Sequence, residues 1–367
     1  MRKAPFVALC GLLLAARLRA DSGASASASA SDRLARYYES WFSVCPGTRV
    51  TVSAAPEIAI PGYDAYRVER QCELKNRNEL SIALVDANRD EVFVGEVLYS
   101  EDRRGKTFTP ASDLPTVQAA LRDAYGLPVA LQVGTGGRGA LSPLRASLML
   151  APNAAASLPG FISQDGAGVL LGEFRPLSTP PERWRERVLS ESHGVAPEEG
   201  RFAVTAFIDF QCEKCRLRTP QVRDFVAARG GSIEVRFLPL VKIHNWSFAA
   251  AESAAALSDV APALYARYEN AVFPRAATMT EASAREIAAD IAEAAGVKPA
   301  FEEEIASGRA RGRVIRDVEL ALRLGLNSTP VFFYRGAQLT GDPNLAESYI
   351  QSRLRGSGKP SAQGSPR

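Results

Sequence analysis

The chain has 367 residues, 46% of them hydrophobic and 23% charged, which is the composition of a folded globular protein long enough for two domains. Its 44 basic and 41 acidic side chains leave a net charge of +3, so there is no electrostatic case for nucleic acid as a partner. Two histidines argue against a multi-histidine metal centre, and the chemical interest rests on five cysteines.

Arg2 and Lys3 precede an apolar run from Ala4 to Ala16, after which the chain reaches Leu18-Arg19-Ala20 and a Ser/Ala tract. This pattern reads as a signal peptide over residues 1–20 and a flexible leader over 21–32. The run is shorter than the roughly 20 apolar residues a membrane span needs. Cys10 lies inside it, with apolar residues continuing to Leu14, so a lipid anchor is the weaker reading. Export to the periplasm or cell envelope is therefore expected, leaving Cys45, Cys72, Cys212 and Cys215 in an oxidising compartment.

Residues 33–180 read as one α+β unit used twice, over 33–105 and 112–180. The first copy opens with a helix-period run, Leu34, Tyr37, Tyr38, Trp41 and Phe42. Strand patterns follow at 49–52, 66–68, 80–84 and 92–94. The second copy has a helical run from Asp113 to Tyr125, then strand patterns at 129–133, 146–150, 160–162 and 169–171. The closest match sets Phe93-Val94-Gly95-Glu96-Val97 beside Leu170-Leu171-Gly172-Glu173-Phe174. Each copy would lay one helix on an antiparallel sheet, and the module is expected to fold independently. Residues 181–200, bounded by prolines and a polar turn, read as a helical linker.

From residue 201 the pattern changes. A buried strand, Ala203 to Phe210, runs into Gln211-Cys212, and helix signals continue to Ala228, where Gly230-Gly231 stops them. Ile233 to Leu238 is a second strand, and an alanine-rich helical block occupies 246–326. Val331 to Tyr334 turns at Arg335-Gly336 and pairs back through 338–340. A last helix runs from Pro343 to Leu354, and 355–367 reads as a disordered tail. Arg309, Arg311, Arg313 and Arg316 read as a solvated helix face.

The segments Phe207-Ile208-Asp209-Phe210-Gln211-Cys212-Glu213-Lys214-Cys215 and Asn327-Ser328-Thr329-Pro330-Val331-Phe332 carry a resemblance. With Pro239-Leu240 and His244-Asn245-Trp246 between them, residues 201–354 resemble the DsbA-like thiol–disulfide oxidoreductases, whose fold is a thioredoxin fold with a helical insertion. The resemblance implies that Cys212 attacks disulfides, that Cys215 resolves the mixed disulfide, and that Pro330 is a cis proline beside them. Thr329 would contact substrate. Local physics agrees, because a thiol where a strand meets a helix sees unpaired N–H groups and the positive end of the helix dipole. No cofactor is implied, since the dithiol carries the electrons. Implied partners are cysteine-containing exported proteins and a redox protein that resets the dithiol.

Several positions depart from the family. Glu213-Lys214 replaces the usual proline-containing pair, and Ala206 stands where relatives carry a buried acid. Asp209 is better read as structural than as a proton relay, and His244 and Trp246 as helix entry and packing. A zinc site would need two more ligands beside the dithiol, and His193, His244, Cys45 and Cys72 form no second close pair, so no metal is expected. Cys45 and Cys72 read as a structural disulfide contributing about 3 kcal/mol by loop entropy. The first half loosely resembles the small α+β domain that precedes thioredoxin folds in disulfide isomerases, which implies partner binding or a homo-oligomer. The rival function is a non-catalytic binding protein that uses the thioredoxin fold as a scaffold.

Overall fold

The computed structural model describes residues 29–41, 48–72, 77–195, 199–339 and 343–356. The expected signal peptide, most of the leader, Cys45 and the expected tail beyond 356 lie outside the described residues. The leader nevertheless ends early. Ser29 caps α1 (Ala30–Glu39), its Oγ accepting the Asp32 N–H at 3.1 Å while the Asp32 carboxylate takes the Ser29 N–H. This reciprocal capping pulls the start of the helix back into the Ser-rich tract.

Four strands follow α1, namely β1 (Arg49–Ala54), β2 (Asp64–Cys72), β3 (Arg77–Asp86) and β4 (Glu91–Tyr99). Then α2 (Pro110–Tyr125) leads into β5 (Val129–Val133), β6 (Leu141–Ala151), β7 (Ala154–Ser163) and β8 (Gly168–Pro176). All eight strands form one antiparallel sheet in the order β1-β2-β3-β4-β8-β7-β6-β5. Read from either edge, the order is four consecutive strands meeting the last strand of the other set. At that seam Gly95 faces Gly172, with φ of 156° and 145°. A Cβ at either position would overlap the facing backbone, so the close approach requires glycine on both strands.

The period-two alternation seen in the sequence decides which face is covered. Leu34, Tyr37 and Tyr38 of α1 bury against Val68, Ala83, Val85, Val92 and Val94. Val117 and Leu121 of α2 do the same on Leu144, Ala146, Leu158 and Leu171. The opposite face is closed by the segment after β1, where Ala55, Ile58 and Ile60 meet Leu84, Phe93, Leu141 and Leu170.

The second half begins with α3 (Pro181–Leu189), then β9 (Ala203–Ile208), α4 (Glu213–Ala227) and β10 (Ser232–Phe237). The helical block contains α5 (Ser247–Val260), α6 (Ala263–Val272), α7 (Glu281–Ala294), α8 (Lys298–Ala306) and α9 (Arg309–Arg323). It returns to β11 (Val331–Tyr334), β12 (Ala337–Leu339) and α10 (Pro343–Gly356). The sheet order is β10-β9-β11-β12, with β10 parallel and β11 antiparallel to β9. This is a thioredoxin-like fold with an inserted helical region, preceded by the large antiparallel sheet. Within the insertion, α5 is buried along nearly its whole length, and its alanines let neighbouring helices approach closely.

The helix expected within the linker is α3, and it packs into the second core, where Trp184 and Val188 meet Phe207, Val318, Leu324 and Phe333. Val195 also bridges to Val235 at the sheet edge. The i, i+4 spacing of Trp184 and Val188 marks a helix, but spacing alone names no partner for its apolar side. Within the arginine run Arg309 and Arg316 are exposed, and three of the four arginines make ion pairs. Arg309 pairs with Glu304 at 2.9 Å, Arg311 with the buried Glu252 at 3.0 Å, and Arg313 with Asp259.

The halves share a core. Ala156 of β7 sits in the cluster of Val318 and Ala321 of α9, while Leu158, two residues on and so on the same face, packs under α2. The Ser157 N–H donates to Glu319 Oε1 at 2.8 Å, and Arg175 donates to the Arg323 carbonyl at the end of α9 at 3.0 Å. Independent folding of residues 33–180 is therefore not what the packing favours.

Candidate redox site

The apolar run of β9 is buried from its second residue onward, which fixes the strand end rigidly in the core. The chain then turns through Asp209-Phe210-Gln211 and enters α4 with Cys212 as its N-cap. An N-cap side chain normally offers oxygen to the free N–H groups of the first turn; here the position holds a sulfur. Cys212 is 9% exposed, and Cys215, one turn on, is fully buried.

The two sulfurs are unequal. The Cys212 thiol is pulled down to about 5, chiefly by hydrogen bonding from Cys215. The Thr329 hydroxyl and the backbone N–H groups of Cys215 and Lys214 add to this, against the opposing effect of burial. Cys215 is pushed far up, first by burial and then by the neighbouring sulfur. At neutral pH the pair is thus a Cys212 thiolate receiving a hydrogen bond from a Cys215 thiol.

The loop before β11 closes the site. The Thr329–Pro330 peptide is cis, and the Thr329 carbonyl oxygen lies 3.5 Å from Cys212 Sγ. The buried Thr329 Oγ1 has no hydrogen-bond partner, and its hydroxyl lowers the pKa of both sulfurs. Cys212, Cys215, Thr329 and Pro330, drawn from segments more than a hundred residues apart, are therefore brought together. Cys72 is elsewhere, buried at the end of β2 beside Trp41 and disulfide-bonded. Its expected partner, Cys45, lies outside the described residues.

Asp209, His244 and Gln211 form a clamp whose extent sequence reasoning missed. The Asp209 carboxylate is buried, accepting N–H groups of Gln211 at 2.8 Å and Leu240 at 2.7 Å and meeting His244 Nδ1 at 2.8 Å. Its own N–H donates to Cys215 Sγ at 3.4 Å. Gln211 in turn accepts the Trp246 N–H at 3.2 Å and donates to Asn245 Oδ1 at 3.4 Å. The redox turn and the entry to α5 are thus one hydrogen-bonded unit. The available signal was an acid at the end of a buried, mostly apolar strand, which must find donors once buried.

Ala206 on β9 is buried among apolar side chains. In the same cluster the Tyr265 hydroxyl donates to Glu269 at 2.8 Å, and Arg223 of α4 pairs with that carboxylate at 2.6 Å. Among the described residues, no group of three His, Cys, Asp or Glu side chains is arranged to hold a metal ion.

Residues 197–350 match the family model described as Thioredoxin. That stretch is thioredoxin-like. Similar solved structures include the thiol-disulfide exchange protein alpha-DsbA2 from Wolbachia pipientis, at 16% identity, covering 48% of this chain and 97% of that one, with a TM-score of 0.39. Another is BcfH from Salmonella enterica Typhimurium, at 21% identity over 47% of this chain and 76% of that one, with a TM-score of 0.35. A curated relative is the Na(+)/H(+) antiporter NhaA 3 of Salinispora tropica, 26% identical over 179 residues, or 45% of this chain. The match covers 26% of that antiporter's length. Among the described residues, no helix of the present chain is long and apolar enough to cross a membrane.

Proposed function

We propose that this chain is an exported thiol–disulfide oxidoreductase that exchanges disulfides with cysteine-containing secreted proteins. The observation that carries the reading is the inequality of the two sulfurs: a partly accessible Cys212 held as thiolate above a buried Cys215 held as thiol. The Cys212 thiolate attacks one sulfur of a substrate disulfide, forming a mixed disulfide and releasing the other sulfur as thiolate. Cys215 then gives up its proton and attacks Cys212, so that the substrate leaves as a dithiol and the chain holds the Cys212–Cys215 disulfide. Run backward, the same two steps oxidise a substrate dithiol, and a second redox protein resets the couple. A low-pKa Cys212 is the better leaving group, so the mixed disulfide breaks readily at that sulfur.

In this reading Cys212 and Cys215 are catalytic, Pro330 shapes the loop above them, and Thr329 faces the substrate sulfur. Cys45 and Cys72 form the structural bridge, and the first half, as two copies of a helix-and-sheet unit, holds partners or a second subunit. The deciding experiment is trapping. A Cys215→Ser variant should accumulate mixed disulfides with substrate proteins, and Cys212→Ser should accumulate none. If Cys212→Ser retains exchange, the assignment of attacker and resolver is wrong; if the unaltered chain exchanges nothing and Cys215→Ser traps nothing, the scaffold reading takes its place. Equilibration of the couple against a thiol buffer then assigns the direction of electron flow.

A further inference from the structure

The described surface exposes only four large hydrophobic side chains, Leu80, Met149, Leu217 and Ile243. Two of them stand on the elements that flank Cys212. Leu217, 48% exposed, follows the dithiol on α4, and Ile243, 67% exposed, tips the loop between β10 and α5. That loop is held against the redox turn by the bonds Leu240 N–H to Asp209 and Gln211 to Asn245. Both apolar tips are therefore anchored to the rim of the site.

The same rim is cationic. Lys214, Leu217 and Arg218 lie three and four residues apart on α4, one face of the helix, opposite the buried Cys215 and Thr219. Lys242 is exposed beside Ile243 and rests against Gly126, the C-cap of α2, so the first half reaches this rim. Glu213 and Arg216 pair at 3.7 Å and cancel. No carboxylate lies within ion-pair distance of Lys214, Arg218 or Lys242 among the described residues, which leaves three positive charges on the two elements that flank the redox turn.

We infer that the site takes acidic substrates: extended polypeptide segments in which carboxylates and an apolar side chain flank the reacting cysteine. The inference rests on the proposed redox function and names its substrate class. Carboxylates on such a segment would meet Lys214, Arg218 and Lys242, while its apolar residue covers Leu217 or Ile243. Charge complementarity of this kind acts mainly on the encounter rate and on choice between partners.

The test compares disulfide-containing peptides of one length and apolar content, flanked by aspartate and glutamate, by serine, or by lysine. At low salt kcat/KM should be about tenfold higher for the acidic than for the basic peptide, and the ratio should shrink toward one in high salt. The Lys214→Glu, Arg218→Glu double variant should reverse the order of the peptides. A small uncharged disulfide serves as the control. Wild-type exchange with that small disulfide but equal rates on all three peptides overturns the acidic-substrate inference alone. Failure even on the small disulfide overturns the redox function and this inference with it.

Discussion

Cys212 is the residue on which most of the chemistry turns, and its protonation can be followed directly. Alkylation of Cys212 should be nearly independent of pH above 6 and fall to half near pH 5, because the thiolate is the reactive form. Linkage gives a second readout. The folded-state value is depressed, so the thiolate's contribution to stability is fully present above the unfolded thiol's value of about 8.5. It declines as pH falls and is lost on passing through about 5. The urea midpoint of the reduced protein, measured against that of the oxidised protein, should therefore drop between pH 9 and pH 5. Thr329→Val tests the hydroxyl separately. Removing the hydroxyl beside the two sulfurs should move the alkylation midpoint upward. An unmoved midpoint would mean that Cys215 and the helix N-terminus hold the thiolate unaided.

Among the elements, the seam between β4 and β8 makes the sharpest demand on sequence. Gly95→Val should destabilise the protein by about 3 kcal/mol or more, since the new side chain meets the backbone of β8 rather than a yielding side chain. Thermal unfolding reads this, and an unchanged midpoint would show that the seam can open without cost. The clamp at Asp209 makes a different prediction. Asp209→Ala leaves the Leu240 N–H and His244 without their acceptor, so amide exchange should quicken in residues 239–247 before it does so elsewhere. Most strands were legible because alternation survives in an open antiparallel sheet, and β9 because a buried strand reads as a nearly continuous apolar run. Cys212, Cys215, Thr329 and Pro330 were legible as a family pattern. The place of α3 and the pairing of Arg311 with Glu252 were not, because both depend on contacts between segments far apart in the chain, which local spacing does not encode.

For the whole molecule, the shared core sets how the chain can be divided. A chain beginning at Glu182 uncovers the side of α9 that β7 covers, around Val318 and Ala321, and frees Glu319 and the Arg323 carbonyl from their partners. Such a truncation should retain the Cys212–Cys215 pair yet unfold at lower temperature and self-associate, as light scattering would show. If it is as stable and as monodisperse as the full chain, the contact between the halves contributes little. Its exchange rates with acidic peptides would also register the loss of Gly126 behind Lys242.

The contact between Ser157 and Glu319 joins residues 162 positions apart. A sheet already complete at residue 176 must keep Ala156 uncovered until α9 has been made or delivered. At typical synthesis rates of roughly 5–20 residues per second that wait lasts on the order of ten to thirty seconds. Over that interval the early half offers an apolar stripe and the two outermost strands of its sheet, β1 and β5, to any neighbouring chain. Crossing into another compartment unfolded, under the care of a holding chaperone, would remove the hazard by postponing all pairing until both halves are present.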